Sequence, residues 1–187
     1  CLVGSEMCIR DRAFCNELVT ERARAKEILF EYNNLHPSEM EKRTEILKHF
    51  LGATGKQLLI EQPFRCDYGY NIRVGENFYA NMGCTILDEA LVTFGDNVLL
   101  APNVSIYTAG HAVNVAQRIV GWEYAYPVTV GHNVWIGGNV VILPGVSIGD
   151  NSIIGGGSVV TKDIPANVIA VGNPCKVIRE LTEDELK

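Results

Sequence analysis

The chain has no surplus of positive charge: 16 Lys and Arg stand against 22 Asp and Glu, a net charge of −6 at pH 7 over 187 residues. Such a balance gives no general attraction for nucleic acid or an anionic membrane surface, so neither is expected as a partner. No apolar run in the sequence approaches the ~18 residues that a membrane span requires. The six cysteines, Cys1, Cys8, Cys15, Cys66, Cys84 and Cys175, include no Cys-x-x-Cys pair. Zinc and dithiol redox chemistry therefore have little support. Thiols scattered in this way fit a reduced, cytoplasmic protein that uses them as small buried hydrophobes. Aromatics are sparse at 8 %, but apolar residues reach 47 %, enough for a globular core and too many for a wholly disordered chain.

The chain also begins without a Met. Residues 1–12 (Cys-Leu-Val-Gly-Ser-Glu-Met-Cys-Ile-Arg-Asp-Arg) lack the long apolar stretch of a signal peptide and are read as a foreign leader. Beyond it, charge is distributed unevenly. Residues 13–50 hold 13 charged side chains, whereas residues 101–160 hold three, Arg118, Glu123 and Asp150. In the charged zone, Leu18, Ala25, Ile28, Leu29 and Tyr32 recur at helical spacing. Asn33-Asn34 and His36-Pro37 interrupt that pattern. Ser38 followed by Glu41 has the form of a capping box, Ile46, Leu47, Phe50 and Leu51 supply a second apolar face, and Gly52 is the expected stop. Two helices are thus expected, either simply packed on the main domain or acting as a lid that also touches a substrate.

The weakly charged zone repeats every six residues. Val130, Ile136, Ile142, Ile148, Ile154 and Val160 are six residues apart, and four residues after each stand Val134, Val140, Val146, Ser152, Ser158 and Ile164. The register returns upstream at Phe94, Leu100 and Ile106, and again, after a two-residue slip, at Val74, Ala80 and Ile86. Six consecutive hexads form a strong repeat signal. An α-helix does not fit them, because at about 100° per residue a hexad ends about 120° short of a whole number of turns. A parallel β-helix does fit. Each hexad supplies a short strand and a corner, the aliphatic points inward, and small residues and glycine sit where corners crowd or need positive φ. One long break between Ile106 and Val128 carries His111. Insertions into a solenoid emerge as loops, often on the functional face.

These segments resemble the maltose and galactoside O-acetyltransferases, members of the left-handed β-helix, hexapeptide-repeat acyltransferases. The matching stretches are Phe64-Arg-Cys-Asp-Tyr-Gly-Tyr-Asn-Ile72, Asn77-Phe-Tyr-Ala-Asn81, Gly95-Asp-Asn-Val98, Ala101-Pro-Asn-Val104, Thr108-Ala-Gly-His111, Val134-Trp-Ile-Gly137, Gly155-Gly-Gly-Ser-Val-Val-Thr-Lys-Asp163 and Gly172-Asn-Pro174. The resemblance runs from about residue 16 to the end. It implies a mainly β fold, a left-handed parallel β-helix with an N-terminal helical hairpin. The expected organisation is a leader over 1–12, a helical segment over 13–56, a catalytic β-helix over 57–175 with a loop at 107–127, and a tail over 176–187.

The resemblance further implies acetyl transfer from acetyl-CoA to a hydroxyl of a sugar, by direct attack and without an acyl-enzyme. A hydroxyl is a poor nucleophile at neutral pH, and an imidazole titrating near ~6.5 suits the base that must activate it. His111 matches the family's catalytic histidine, and Asn81 matches the residue assigned to the oxyanion, a task worth roughly 10²–10³ in rate. Acetyl-CoA would be met by Trp135, by backbone near Gly138 and Gly156, and by Thr161, Lys162, Lys176 and Arg179 near its phosphates. Lys176 replaces an arginine found in some relatives. Asp67, Asp88 and Glu89, with Asn81, match acceptor-binding positions, although relatives often have Asp-Asp at the second pair. Relatives also carry an acid at the start of the first helix, where this chain has Cys15-Asn16. Of the other histidines, His132 reads as surface and His36 and His49 as structural or solvated. The resemblance implies acetyl-CoA as a co-substrate with no permanently bound cofactor, no metal, and a homotrimer.

Other readings share the fold. One is an acetyltransferase acting on another small acceptor, such as serine, an antibiotic or an amino sugar. Another is a γ-type zinc carbonic anhydrase. That enzyme would need three clustered histidines, and the repeat zone offers only His111 and His132. A non-catalytic structural β-helix would have no reason for the His111 insertion.

Overall fold

The computed structural model describes residues 16–187. The leader expected over 1–12 and the Cys15 position lie outside the described residues. Helix α1 (Asn16–Asn34) and helix α2 (Met40–Phe50) form the expected pair. Ala25, Leu29 and Tyr32 of α1 are buried, with Ile28 partly so, which is the i, i+3, i+4, i+7 stripe read from the sequence. Leu47 and Phe50 of α2 complete the contact, and between them and the coils lies a buried arginine. Arg43 Nη2 donates to the Ile60 carbonyl and to Glu61 Oε2, both at 3.0 Å. A buried guanidinium needs such partners.

Two local expectations are corrected. Ser38 and Glu41 do not form a capping box. Pro37 sits in a turn closed by the Glu39 N–H on the His36 carbonyl, which moves Ser38 off the cap position. Ser38 Oγ instead meets His36 Nδ1 at 2.8 Å, and the N-cap residue, Glu39, makes no side-chain cap bond. Gly52 is not a left-handed stop either. Helix α2 ends into extended Leu51, and a Cβ on Gly52 would stand 2.1 Å from the Tyr70 carbonyl oxygen. The glycine is required by close approach of two backbones where the helices enter the first coil.

From Leu58 onward the chain winds as a parallel β-helix with three faces. One face stacks Leu58–Ile60, Phe78–Ala80, Leu99–Leu100, Trp135–Ile136, Ile153–Ile154 and Val168–Val171. A second stacks Arg65–Cys66, Thr85–Leu87, Ser105–Tyr107, Val141–Ile142 and Val159–Val160. A third stacks Ile72–Arg73, Val92–Phe94, Val128–Val130 and Ser147–Ile148. The hexad aliphatics therefore take successive faces, and every third one stacks: Val130 aligns with Ile148, Ile136 with Ile154, Ile142 with Val160. All six are buried. Residues 176–187 begin with a further strand, Lys176–Glu180, antiparallel to Val168–Val171.

The corners differ in detail from the expectation. Gly131, Gly137 and Gly149, which follow the aliphatics, are needed because the next coil is close: an added Cβ would meet backbone nitrogen of Asp150, Gly156 or Ala166 at 2.4–2.8 Å. Positive φ is shared: Gly69, Gly83, Gly145, Gly157 and Gly172 take it, as expected, and so do seven asparagines. Asn77, Asn97, Asn133, Asn151 and Asn167 lie at φ 53–62°. Asparagine tolerates this region because its short amide bonds locally. Here each amide also donates to the next, Asn77 to Asn97, Asn97 to Asn133, Asn133 to Asn151 and Asn151 to Asn167, at 2.7–2.9 Å. His132 lies in a neighbouring corner ladder, where its Nδ1 accepts from the Asp96 N–H at 2.9 Å. No described helix is long and apolar enough to cross a membrane.

Candidate functional site

The break in the repeat is a β-hairpin. Ala109–His111 pairs antiparallel with Glu123–Ala125, and a short helix α3 (Val115–Ile119) closes the tip, capped by the Asn114 side chain on the Gln117 N–H. Each residue of Thr-Ala-Gly-His has a visible reason. Thr108 is fully buried at the stem, donates to the Leu87 carbonyl at 2.8 Å and accepts from the Ala90 N–H at 2.9 Å. It thereby ties the hairpin to the turn that holds Asp88 and Glu89. Gly110 stands opposite Tyr124, whose phenol carbon Cζ would be 2.5 Å from any Cβ placed there. His111 pairs in register with Glu123, and its Nδ1 lies 3.4 Å from Glu123 Oε1. The imidazole is 63 % exposed and the carboxylate 28 %. The imidazole is thus largely accessible.

The hairpin forms one wall of a cleft lined also by Tyr68, Tyr70, Asn71 and Glu89 and, from α1, by Leu18 and Arg22. Helix α1 thus contributes two side chains to the cleft wall. Arg22 Nη1 bonds Tyr68 Oη at 2.6 Å, and Glu21 accepts from Tyr70 Oη at 2.7 Å. The enclosed volume is about 80 Å³. That is small beside the roughly 300–1,000 Å³ of most ligand pockets.

The three expected acids behave differently. Asp88 is fully buried. Its Oδ1 accepts from the Asp67 and Tyr68 N–H groups at 3.0 and 2.8 Å, and its Oδ2 from the Gly69 N–H at 2.8 Å. Burial pushes this carboxyl above the usual range while those N–H groups pull it back. Asp88, expected among the acceptor-binding residues, anchors the 67–69 turn, with both its oxygens bonded to backbone N–H groups. Glu89 turns the other way, into the cleft, and its Oε2 is buried with no partner among the described residues. Burial, then the charge of Asp67 and a hydrogen bond with it, raise the Glu89 carboxyl to about 8.

The remaining expected residues lie off this cleft. Asn81 follows the strand Phe78–Ala80, and its Oδ1 accepts from the Met82 N–H at 2.8 Å, leaving the amide NH₂ as the end able to donate outward. It is not among the left-handed asparagines, so backbone conformation does not account for it. Trp135 is 51 % exposed on the outside of its face. Gly138 and Gly156 are stacked in neighbouring coils, where the Gly157 N–H donates to the Gly138 carbonyl at 2.8 Å. Thr161 and Lys162 are exposed at the corner after Val160, and Lys176 and Arg179 are exposed on the last strand. Arg179 is already engaged, its two terminal nitrogens each 2.7 Å from an oxygen of Glu185. That pairing holds the Glu185 carboxyl well below its ordinary range. His36 and His49 bond Ser38 and the Glu45 carbonyl locally. The three described cysteines, Cys66, Cys84 and Cys175, are free and buried, and burial pushes the Cys84 thiol up to about 12.

Sequence reading missed Glu123, Tyr124 and Arg22. Glu123 carried a signal, as one of three charges in an otherwise uncharged stretch. Its value became visible only with the hairpin register.

Known proteins match this architecture over nearly its whole length. Residues 12–55 match the maltose acetyltransferase hexapeptide capping motif, and residues 127–162 match the bacterial transferase hexapeptide, as six repeats. The galactoside O-acetyltransferase of Escherichia coli (strain K12) is 52 % identical over 169 residues, covering 90 % of this chain and 83 % of the relative. The crystal structure of a maltose O-acetyltransferase from Clostridium difficile 630 is 55 % identical, covers 92 % of each chain and superposes with a TM-score of 0.91. A galactoside acetyltransferase solved in complex with coenzyme A is 50 % identical, covers 92 % of this chain and 86 % of its own, and superposes at 0.90. The likeness in sequence and fold spans both the helices and the coils. The chain therefore belongs to the maltose and galactoside O-acetyltransferase family of left-handed β-helix, hexapeptide-repeat acyltransferases.

Proposed function

We propose that the protein transfers acetyl from acetyl-CoA to a hydroxyl of a sugar, with His111 as general base. The observation that carries this reading is the placement of an accessible imidazole on the hairpin that walls a cleft containing a buried, unpartnered carboxyl oxygen. Relatives named for O-acetylation of galactosides and maltose support the reaction class. The acceptor hydroxyl attacks the thioester carbonyl, forming a C–O bond while His111 takes its proton. The amide NH₂ of Asn81 donates to the tetrahedral oxyanion. The intermediate then collapses with cleavage of the C–S bond, and the imidazolium returns the proton to the departing sulfur. No acyl-enzyme is formed. The described cysteines are buried, with thiols raised above their ordinary values, which suits them poorly to a nucleophile's role.

Glu89 and Asp67 meet the acceptor, with Asp88 holding the turn beneath them. A carboxyl raised to about 8 is largely neutral at pH 7. Glu89 then meets a hydroxyl as a hydrogen-bond partner rather than an ammonium as a counter-charge, which favours a sugar over an amine acceptor. Trp135, Gly138 and Gly156 line the path of the pantetheine arm, and Thr161, Lys162, Lys176 and Arg179 lie near the phosphates, Arg179 after exchanging Glu185 for phosphate.

The protein works as a cytoplasmic homotrimer. The small cleft needs further walls, and one face of the coils offers an outward apolar stripe. By strand alternation Leu59, Tyr79, Leu99, Trp135, Ile153 and Ile169 point outward there, in register from coil to coil. The corresponding outward positions of the third face are Arg73, Thr93, Thr129 and Ser147. Release of free CoA thiol from acetyl-CoA, measured against maltose, simple galactosides, serine and amino sugars, tests the function. Turnover confined to hydroxyl sugars is expected. A burst of acetyl-enzyme without acceptor, or preference for an amine, would overturn it.

A further inference from the structure

We propose that Glu123 is a positioning residue for His111: it fixes the ring proton on Nδ1 and so presents Nε2 as the base. This deepens the reading given above and rests on His111 being the base. The two residues are directly opposed in the antiparallel hairpin, so the backbone register sets their approach. The register is itself held by Tyr124 against Gly110, by the Ala112 N–H donating to the Trp122 carbonyl at 3.2 Å, and by the buried hydroxyl of Thr108 at the stem. Glu123 faces the Nδ1 edge at 3.4 Å. A neutral imidazole has one donor and one acceptor nitrogen, and a carboxylate beside Nδ1 selects the tautomer with hydrogen there. The lone pair is then on Nε2. When Nε2 takes the acceptor's proton, the new imidazolium charge shortens the Nδ1–H contact into a charge-assisted hydrogen bond, and Glu123 itself stays unprotonated. The present separation is longer than a formed bond, as is common before substrate arrives.

Other groups on the cleft wall do not substitute for it. Glu89 contributes to the same cleft but is held up by burial and by Asp67, and Arg22 reaches Tyr68. Arg118 of the hairpin tip donates to the Ala112 and Val113 carbonyls.

The test compares wild type with Glu123→Gln, Glu123→Asp, His111→Ala and the His111→Ala/Glu123→Gln double variant, using acetyl-CoA and maltose or a simple galactoside. Glu123→Gln should lower kcat about ten- to a hundredfold, leave the KM for acetyl-CoA within about twofold, and move the basic-group limb of the pH–rate profile to lower pH by about one unit, because the imidazolium loses its counter-charge. Glu123→Asp should recover part of the loss. In the His111→Ala background, Glu123→Gln should add nothing beyond about twofold. Long-range ¹H–¹⁵N spectra of the wild-type imidazole should show the hydrogen on Nδ1, which decides the matter even where a variant fails to fold. An Nε2–H tautomer in the wild type, or an unmoved pH limb in Glu123→Gln with His111→Ala inactive, overturns the role of Glu123 and leaves His111 as base. Full activity of His111→Ala overturns the underlying reading instead.

Discussion

In the coils, Ile106, Ile136, Ile142 and Ile154 are fully buried, whereas α3 at the hairpin tip buries no residue at all. Val113, Val115, Ile119 and Val120 are all exposed there. The coils repeat one solution many times, with inward aliphatics, close-approach glycines and an asparagine ladder, and each coil is held by its neighbours. The hairpin is held by a few single contacts: a threonine at the stem, a ring over a glycine and one capped turn. This division places His111, the proposed base, on a weakly packed element anchored to a platform of stacked coils. It also means that stability and activity should respond to different residues.

The largest effect on the platform is expected from Ile142→Ala. Loss of a fully buried aliphatic stacked between Ile106 and Val160 should cost about 2–5 kcal/mol. Chemical denaturation would measure it, and kcat per folded molecule should stay within about twofold; a proportionate fall in kcat would erase the distinction drawn between coils and hairpin. Thr108→Val comes next, at the junction of the two regions. The variant keeps its volume and the backbone N–H bond of residue 108 to the Leu87 carbonyl, but it leaves the Ala90 N–H unpaired, a cost of about 1–3 kcal/mol. Turnover should fall further than the melting temperature suggests, because the stem that aims His111 is loosened. An effect on melting alone would make Thr108 part of the platform.

Glu89→Gln should have the smallest effect and a distinctive pH signature. The folded carboxyl titrates at about 8, above its ordinary value of 4.5, so the folded state holds this proton more tightly than the unfolded chain. Its contribution to stability is full below about pH 4.5 and is lost as pH rises through 8. The glutamine variant should remove that loss. Discounting for partial solvent screening, it should gain on the order of 1 kcal/mol, or about 2–4 °C in Tm, at pH 9 over wild type, and little at pH 5. Equal shifts at both pH values would contradict the assignment.

Much of the coil region was legible because its information is periodic. One hexad predicts the next, and three faces follow from alignment of every third aliphatic. The helical stripe of α1 was legible for the same reason. What escaped the sequence depends on contacts between distant or non-periodic residues. Pro37 displaced the capping box by closing a turn, which a Ser–Glu spacing does not register. Left-handed corners are shared by glycine, as expected, and by asparagines whose amides bond from coil to coil, a contact that a single hexad does not show. Asp88 and Glu89 are adjacent yet face opposite ways, one into backbone N–H groups and one into the cleft. Arg179 was legible as a cation but not as the partner of Glu185. His111 was legible from its place on the break in the repeat, and Glu123 was not, because their meeting is set by cross-strand pairing.

The central claim is that one imidazole, held out on the hairpin, performs the proton transfer while the coils bind the donor. Its most direct measurement is acceptor-dependent CoA release by His111→Ala, run beside calorimetric binding of acetyl-CoA to the same variant. The account predicts a fall in kcat of about 10²–10⁴-fold with the acetyl-CoA Kd within about twofold of wild type. Turnover equal to wild type, or loss of acetyl-CoA binding in step with activity, would contradict it.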